Sequence, residues 1–264
     1  MIPKIIHYCW FGGNKLPKKA LDCISSWKKY CPDYEIKEWN ENNFDLYSNC
    51  YVQEAFHAQK WAFITDYVRL YVLHNFGGIY MDTDVEVLKP LDNFLQHEAF
   101  SGFEQVNKIP TGIMASVKNH PWITLLLHDY DQRHFILEDG SFDMKTNVDT
   151  ITELTKQNYL IKLNNETQKI ENDLVFYSKE WFCPKEYSTG KIILTDNTHC
   201  IHHFAGSWLD EDIKLSFSKK KKYISIFGKH FGCFIYYIWK VKFEMKKNGF
   251  YCVLKKIKTK FTSF

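Results

Sequence analysis

The beginning of the chain alternates between short apolar runs and a segment with helical spacing. The run IPKIIHYCW is typical of a buried strand. It is followed by LPKKALDCISSWKKYCP, in which Leu21, Ile24 and Trp27 recur at helical spacing before a proline stop. The run YEIKEW then predicts a second strand. The first forty residues therefore predict a strand, a helix and another strand.

The segment QKWAFITDYVRLYVLHNFGG gives the clearest helical pattern. Apolar positions recur on one face, namely Phe63, Tyr67, Leu70 and Leu73 or His74. Gly77 is placed to end this helix. The double glycine leads into FGGIYMDTD, where Ile79 to Met81 predict a strand that ends at Asp82. An acidic pair, Asp82 and Asp84, therefore follows a buried strand.

The second half of the chain repeats this alternation. AFSGF and TGIMASV predict strands, HPWITLLLHDY and TNVDTITELTKQ predict helices, and NTHCIHHFAGSW predicts a strand that runs into a loop. Such alternation favours a three-layer α/β domain with a mostly parallel sheet. Ligands bind such sheets beyond the carboxyl ends of the strands, where Trp10 and Asp82 would lie.

Composition supports one large folded domain. The chain has 264 residues, of which 45% are hydrophobic and 17% aromatic, so it can bury a substantial core. Residues 1 to 10 lack the long apolar segment and the cleavage site of a signal peptide, so we expect a cytoplasmic protein. The eight cysteines form no C-x-x-C pair, which favours reduced thiols over disulfides or a zinc site.

The C-terminal part has a different composition. From Lys214 onward the chain carries fourteen lysines and one acid, Glu244, so the net charge of +3 conceals a strongly basic tail. We therefore divide the chain into a domain over residues 1–213 and a basic, aromatic-rich extension over residues 214–264. Lys229 and His230 interrupt the apolar stretch YISIFGKHFGCFIYYIW, which argues against a transmembrane helix.

Three interpretations of this basic extension stay open. A helix lying on an anionic membrane surface would use the lysines and the aromatic residues together, and would hold the protein on the inner face of the cell membrane. A helical subdomain with solvated lysines and a nucleic-acid surface are the alternatives, and we expect no nucleic-acid partner.

The acidic pair carries the clearest chemistry. On an extended chain, residues two apart point to the same side, so Asp82 and Asp84 would present their oxygens together. Hard divalent cations such as Mg²⁺ and Mn²⁺ prefer carboxylate ligands and keep positions open for phosphate. The motif therefore predicts a metal site, although two solvated acids in a turn would give the same letters.

Several ordered motifs together resemble one enzyme family. IPKIIHYCWFGG, WAFITDYVRLYVLHNFGGIYMDTDVEVL, CPKEYSTGKI and IHHFAGSW are similar to bacterial glycosyltransferases of family 32, the Asp-X-Asp sugar-binding family of capsular polysaccharide synthesis. The clostridial glucosylating toxins look like distant relatives. The resemblance covers about residues 1 to 210. It implies an α/β fold of the GT-A nucleotide-binding type and transfer of a sugar, with retention of configuration, from a nucleotide donor.

The resemblance assigns a nucleotide site and a donor-sugar site. Trp10 would stack on the base, beside Ile6 and His7 of the first strand and Tyr80 next to the acids. Asp82 would also contact the ribose. Asp66 and Arg69 lie three apart, hence on one helix face, and would bind the hydroxyls of the donor sugar. Asp82, Asp84, Asp66 and Arg69 are thus the expected catalytic residues.

The resemblance also implies the remaining metal and phosphate ligands. HHFAGSW is similar to the metal-binding H-F-x-G segment of related retaining transferases, so His203 would join Asp82 and Asp84 around Mn²⁺ or Mg²⁺. His202 is the alternative, because adjacent residues of a strand face opposite ways. Ser207 and Trp208 would donate hydrogen bonds to the diphosphate.

Two loops depart from the family pattern. Pro110 and Thr111 stand where many relatives have an asparagine, and Asn147 stands where many have a glycine or cysteine before proline. Thr111, Asn147 and Asp149 are the candidates that would line the donor-sugar or acceptor site. These differences leave the identity of the donor sugar open.

The expected activity is a metal-dependent hexosyltransferase that retains anomeric configuration. It would move a hexose or N-acetylhexosamine from a nucleotide sugar, UDP-linked by preference, to a saccharide or lipid-linked saccharide in surface polysaccharide synthesis. The departing phosphate could itself take the acceptor proton, with a double displacement through Asp149 or Asp66 as the alternative.

Two other classes compete with this assignment. A dehalogenase-type phosphatase also places Asp-X-Asp after a strand, but Glu86 stands where it would need threonine or valine. A non-catalytic, membrane-associated carbohydrate-binding protein would need neither the acidic pair nor the histidine. The acidic pair and the histidine therefore favour an enzyme.

Overall fold

A computed structural model describes residues 1–109, 112–206 and 211–248. Its regular elements run in the following order along the chain: β1 (Ile5–Cys9), α1 (Lys18–Tyr30), β2 (Glu35–Trp39), α2 (Cys50–His57), α3 (Trp61–Phe76), β3 (Gly78–Met81), β4 (Val85–Val87), a 3₁₀ turn (Asp92–Phe94), β5 (Ala99–Gly102), β6 (Ile113–Ser116), α4 (Pro121–His128), α5 (Asn147–Asn158), β7 (Gln168–Lys169), β8 (Leu174–Tyr177), α6 (Lys179–Phe182), β9 (Cys200–His202), α7 (Glu211–Phe227) and α8 (Lys229–Asn248).

Seven of the described strands form one central sheet in the order β2-β1-β3-β6-β5-β8-β7. Strands β2, β1, β3, β5 and β8 point the same way, whereas β6 and β7 run against their neighbours. A separate two-stranded sheet pairs β4 with β9. The α/β class and the mostly parallel sheet expected of a GT-A type fold are therefore confirmed.

The central sheet separates two apolar cores. One face packs against α3, α4 and α5 and contains Trp122 and Phe176, while the other packs against α1 and contains Trp27 and Phe100. The predicted face of α3 is confirmed, since Phe63, Tyr67, Leu70 and Leu73 are all buried. The helix ends where the N–H of Gly77 donates to the Leu73 carbonyl. In α1 the prediction was wrong at one position, because Leu21 is 51% exposed and Ala20 and Cys23 are buried in its place.

The two glycines after α3 position the acidic pair. Gly77 and Gly78 both have positive φ, and a side chain on Gly78 would approach the Ile5 carbonyl oxygen to 2.7 Å. L-residues with a Cβ rarely adopt this backbone conformation, so glycine is required at this close turn. The chain can then pass directly from the end of α3 into β3.

The chain divides into two compact units. The first contains residues 1–185 and 192–208, and the second contains residues 186–191 and 209–264. In the second unit, the helices α7 and α8 form an antiparallel hairpin that turns at Gly228, whose φ is positive. Gly232 lets the helices approach closely, since a Cβ there would lie 2.5 Å from the Tyr223 carbonyl oxygen. None of the described helices combines the length and the hydrophobicity needed to cross a bilayer.

Candidate active site

The acidic pair lies on a tight turn between β3 and β4. Strand β3 ends at Met81, the N–H of Asp82 donates to the Gly112 carbonyl at 2.8 Å, and the N–H of Val85 donates back to the Asp82 carbonyl at 3.0 Å. We expected an extended chain here, so that local prediction was wrong. The turn nevertheless brings the two carboxylates toward one common space.

One oxygen of each carboxylate is anchored by neighbouring groups. Oδ1 of Asp82 accepts a hydrogen bond from the Tyr80 hydroxyl at 3.0 Å and lies 3.3 Å from the Arg69 guanidinium. Oδ2 of Asp84 accepts the backbone N–H of Ala205 at 2.7 Å. The other oxygen of each residue faces the shared space, so the carboxylates are held in orientation while keeping an oxygen for a ligand.

His202 lies beside these free oxygens. Strand β9 pairs with β4 so that His202 is opposite Val85. Its Nε2 lies 3.4 Å from Oδ1 of Asp84 and 3.9 Å from Oδ2 of Asp82. One ligand atom from each of the three residues lies within 4.8 Å of the others.

Electrostatics in this group are dominated by the pairing of Asp84 with His202. Burial alone would raise the pKa of Asp84, but His202 and the Ala205 amide lower it to about 2. Burial opposes the charged imidazolium, yet Asp84 raises the pKa of His202 well above its usual value. The negative charge of the acidic pair therefore stabilises a positive charge in the space that it shares with His202.

His203 is not part of this group, which corrects the predicted ligand set. Its backbone N–H extends the β4–β9 ladder to the Asp84 carbonyl at 3.0 Å, and adjacent side chains of a strand face opposite sides. Its Nε2 lies instead 2.6 Å from Oε2 of Glu86. The structure places His202, which the sequence left as the alternative, with the acids.

Gly112 makes room for the His202 ring. A Cβ at this position would lie 2.8 Å from Nδ1 of His202. The segment TGIM contains this glycine, but its partner is distant in sequence, so no local pattern could have identified the contact.

Asp82, Asp84 and His202 fit a single divalent cation. They supply two carboxylate oxygens not held by other groups and one imidazole nitrogen, a donor set that suits Mn²⁺ and also Mg²⁺. In octahedral coordination, neighbouring ligand atoms lie roughly 3 Å apart, close to the 3.4 Å between His202 and Asp84. Little movement is then needed to place the donor atoms around one ion.

Arg69 links the acidic pair to the predicted donor-sugar residues. Its buried guanidinium lies 3.3 Å from both Asp66 and Asp82, and 4.6 Å from the centre of the Tyr80 ring. The Asn147 amide donates to Asp66 at 2.6 Å. Burial raises the pKa of Asp66 to about 7, against the opposing effect of Arg69. The structure thus brings Asp66, Arg69 and Asn147 together beside Asp82.

Asp149 lies apart from Asp66. It pairs with Lys108 and accepts the Thr146 hydroxyl at 2.7 Å, and the bond to Lys108 lowers its pKa. Thr111, Ser207 and Trp208 lie outside the described residues. Their predicted roles in binding the sugar and the diphosphate stay predictions.

His7 and Ile6 are built into the fold, which argues against their predicted contact with the nucleotide. His7 is fully buried, its Nδ1 accepts the indole N–H of Trp39 at 3.1 Å, and its Nε2 donates to the Gly77 carbonyl at 2.9 Å. Burial lowers the pKa of His7 to about 4. Ile6 is fully buried in the core, and both residues pair with β2 on one side and β3 on the other. Their side chains and backbone are therefore already engaged.

Trp10 and Tyr80 differ in accessibility. Tyr80 is buried, and its hydroxyl donates the hydrogen bond that orients Asp82, while its predicted contact with the nucleotide stays a prediction. Trp10 follows β1 and is partly exposed, and its indole N–H donates to the Asn14 carbonyl at 2.5 Å. Since β1 and β3 are parallel neighbours, Trp10 and Asp82 leave the sheet at the same edge.

Glu104 is a further acid that the sequence did not single out. It follows β5, is partly buried, and has Asp82, Asp84 and His202 as electrostatic neighbours. Burial raises the pKa of Glu104. The segment GFEQ contains no motif of its own, so only the fold shows that this acid faces the site.

Comparison with known proteins agrees with this arrangement. Residues 17–101 match the family described as "glycosyltransferase sugar-binding region containing DXD motif". An uncharacterised glycosyltransferase of Acanthamoeba polyphaga mimivirus is 30% identical over 179 residues, which cover 60% of this chain and 68% of the viral protein. The chain therefore belongs to the glycosyltransferases that contain this DXD sugar-binding region.

Fungal proteins and solved structures are more distant. Inositol phosphoceramide mannosyltransferase 3 of Schizosaccharomyces pombe is 28% identical over 130 residues, or 46% of this chain, and the match spans only 35% of the fungal enzyme. Among solved structures, the PaToxG glycosyltransferase is 20% identical with a TM-score of 0.45, covering 59% of this chain and 68% of that one. The DXD motif of the family to which the chain belongs is Asp82-Thr83-Asp84.

Proposed function

We propose that the protein transfers a hexose or N-acetylhexosamine from a nucleoside diphosphate sugar, preferably UDP-linked, to a saccharide or lipid-linked saccharide acceptor. The supporting observation is the convergence of Asp82, Asp84 and His202 around one space that Arg69 connects to Asp66. Arg69 therefore connects the residues proposed to bind the cation with those proposed to bind the sugar. A non-catalytic carbohydrate-binding protein would have no use for the first of these groups.

Asp82, Asp84 and His202 would hold Mn²⁺ or Mg²⁺ in this proposal. The cation supplies Lewis-acid stabilisation of the negative charge that forms on a nucleoside diphosphate leaving group. Arg69 keeps Asp82 oriented, and the Ala205 amide does the same for Asp84. Trp10 would stack on the nucleobase, and Asp66 with Asn147 would accept and donate hydrogen bonds at the sugar hydroxyls.

Retention of configuration is also part of the proposal. Asp66 is paired with Arg69 and Asn147, and Asp149 with Lys108 and Thr146, so an oxygen of each carboxylate is already engaged. We favour a route in which the departing phosphate takes the acceptor proton on the face it leaves. Double displacement through Asp66 or Asp149 is the alternative.

Hydrolysis and binding of nucleotide sugars test this function. UDP-linked and GDP-linked donors, mannose included, are screened by thermal shift with and without Mn²⁺, and those that stabilise the protein are assayed for metal-dependent release of the nucleotide. The proposal expects at least one donor to be cleaved only when Mn²⁺ or Mg²⁺ is present. Stabilisation by a glycan without cleavage of any donor would instead support a carbohydrate-binding protein.

A lipid-linked acceptor is suggested by the second unit and by the relatives. Three of the fungal relatives are named inositol phosphoceramide mannosyltransferases, so the acceptor in their names is a lipid. In the α7–α8 hairpin, exposed apolar residues lie on both sides of the turn at Gly228 and form what we call the apolar stripe: Ile226, Phe227, Phe231, Phe234, Tyr237 and Ile238. Phe231 and Phe234 are 58% and 60% exposed. Soluble surfaces seldom present such a contiguous aromatic patch without a partner.

Exposed lysines accompany this stripe along the hairpin sequence. Lys222, Lys229, Lys240 and Lys242 are all exposed on the same two helices. Basic side chains beside buried aromatic rings match an anionic bilayer surface in both charge and hydrophobicity. We therefore propose that the hairpin associates with an anionic membrane surface, on the inner face of the cell membrane if the enzyme acts in surface polysaccharide synthesis.

A further inference from the structure

A second polar pocket lies next to the donor-sugar residues in the first unit. It has a volume of about 330 Å³ and is lined by Asp129, Gln132, Arg133, Asp143, Lys145 and Thr150. This volume falls at the lower end of the range for small-molecule sites. None of the predicted site residues lines this pocket.

Two pocket residues are linked indirectly to Asp66, one along helix α5 and one through its charge. Thr150 lies one helical turn after Asn147 on α5, and the Asn147 amide donates to Asp66 at 2.6 Å. Burial raises the pKa of Asp66 to about 7, and the positive charge of Arg133, on the pocket wall, is among the smaller effects that oppose this rise. The pocket is therefore the neighbour of the place where the donor sugar is proposed to bind.

The charged groups of the pocket balance and are rigidly held. The Arg133 guanidinium lies 2.7 Å from Asp143 and 3.3 Å from Asp129, and it packs 5.2 Å and 5.1 Å from the ring centres of Tyr51 and Tyr130. With Lys145, the lining carries two positive and two negative charges. Such a lining offers many hydrogen-bonding groups without an excess charge, which suits an uncharged polyhydroxylated ligand better than a phosphate.

The Thr150 hydroxyl provides an independent indication of a ligand. Thr150 is only 4% exposed, and its Oγ1 has no hydrogen-bond partner among the described residues. A buried polar group without a partner costs free energy, so such groups are uncommon in folded proteins. The Oγ1 atom is itself closed off, so a ligand hydroxyl in the pocket would supply the missing partner once the Thr150 side chain turned toward it.

We propose that this pocket is an acceptor subsite that binds one saccharide unit through its hydroxyl groups. This inference rests on the proposed transferase function, since it assigns the second substrate of the same site. Asp129, Asp143 and Gln132 would accept or donate hydrogen bonds at the pocket rim, and Thr150 at its wall. Asn147 would then stand between the acceptor and the donor sugar held by Asp66.

Binding of simple glycosides tests the subsite. The full chain is mixed, without donor, with the methyl glycosides of glucose, galactose, mannose and N-acetylglucosamine, and saturation-transfer NMR titrations give their affinities. We expect at least one glycoside to bind, and both Thr150→Val and Gln132→Ala to weaken its binding by about three- to tenfold, the loss of one hydrogen bond. Gln157→Ala, an exposed glutamine farther along α5, is the matched control and should bind like the wild type.

The controls keep folding and function separate. Thr150→Val removes a hydroxyl without a described partner, so its melting temperature should not fall, and the exposed Gln132 gives a second test should the valine variant unfold. The subsite is refuted if no glycoside binds the wild type, or if both variants bind it as tightly as the wild type does. Donor hydrolysis by the wild type is measured separately, so glycoside binding without hydrolysis would contradict the transferase and not the pocket.

Discussion

The two units of the chain differ in the side chains that they bury and expose. In the first unit, charged groups are buried and matched, as Arg69 is between Asp66 and Asp82. In the second, aromatic rings are exposed, as Phe231 and Phe234 are on α8. Burying a charge and exposing a large apolar side chain are both costly, so each needs a compensating partner. The first unit pairs its buried charges internally, and in our proposal an anionic membrane surface would cover the exposed rings of the second.

A substitution in the acidic pair is the most direct test of the charged groups in the first unit. Asp84→Asn keeps the shape of the side chain and its contact with the Ala205 amide but removes a ligand charge, so donor cleavage should fall on the order of a thousandfold. Circular dichroism and thermal unfolding should show a folded protein. Asp22→Asn, an exposed acid on α1, is the matched control. Equal turnover by the Asp84 variant, or by the wild type in excess EDTA, would refute the metal site.

The neighbouring histidines separate the two faces of β9. His202→Ala should weaken Mn²⁺ binding and lower donor cleavage by roughly a hundredfold, because it removes the third ligand. His203→Ala should change Mn²⁺ affinity by less than about tenfold, since its imidazole contacts Glu86 instead. Calorimetric titration of both variants with Mn²⁺ measures the difference. A larger loss in the His203 variant would reverse our assignment.

These histidines also show where prediction from the sequence ends. The sequence predicts that only one of two adjacent residues can point inward, but the choice depends on the register between β9 and β4, which is a long-range pairing. The same holds for Gly112, Glu104 and the Ala205 amide, which act on residues far away in sequence. Asp82 could be predicted from a local motif, and Asp66 and Arg69 from their helical spacing.

The fold shows the same limit. Strong local patterns predicted α1, α3 and β3, whereas α2, β7 and β8 were missed because they are short or polar. Leu21 was placed on the wrong face of α1, since Ala20 and Cys23 are also apolar enough to be buried. His7 looked like a binding residue, and only the tertiary structure shows that Trp39 and Gly77 occupy both of its ring nitrogens.

Nucleotide and sugar contacts can be separated within the first unit. Trp10→Ala should weaken binding of UDP itself by roughly 1 to 3 kcal/mol, because it removes the aromatic surface proposed to stack on the base. Asp66→Ala should leave UDP affinity near that of the wild type and weaken only the complete nucleotide sugar. Isothermal titration with UDP and with the preferred donor compares the two. Equal loss of UDP in both variants would show that our division of the site is wrong.

The buried His7 makes the stability of the first unit depend on pH. Burial lowers its pKa to about 4, below the usual value of 6.5, so the unfolded chain binds a proton at a higher pH than the folded one. The stabilisation is complete above about pH 6.5 and declines as the pH falls, by about 2 kcal/mol near pH 5. Urea unfolding should show this decline, and His7→Asn should be less stable at neutral pH but lose less on acidification.

The exposed His230 of α8 is the control for this pH dependence. His230→Asn should unfold like the wild type at both pH values, because that side chain is in solvent. If His7→Asn instead keeps the full decline between neutral pH and about pH 5, other groups produce it and the buried imidazole does not.

The smallest expected effect tests the exposed stripe of the second unit. Changing Phe231 and Phe234 together to serine should weaken binding to phosphatidylglycerol-containing vesicles by roughly tenfold, because two partly inserted rings are lost while the lysines remain. Added salt should weaken the wild type as well, since each lysine contributes about 1 kcal/mol at most near an anionic surface. Leu160→Ser, which removes a 93% exposed leucine from the first unit, should bind like the wild type. Vesicle flotation measures all three proteins, and undiminished binding by the double variant would mean that the stripe does not enter the membrane.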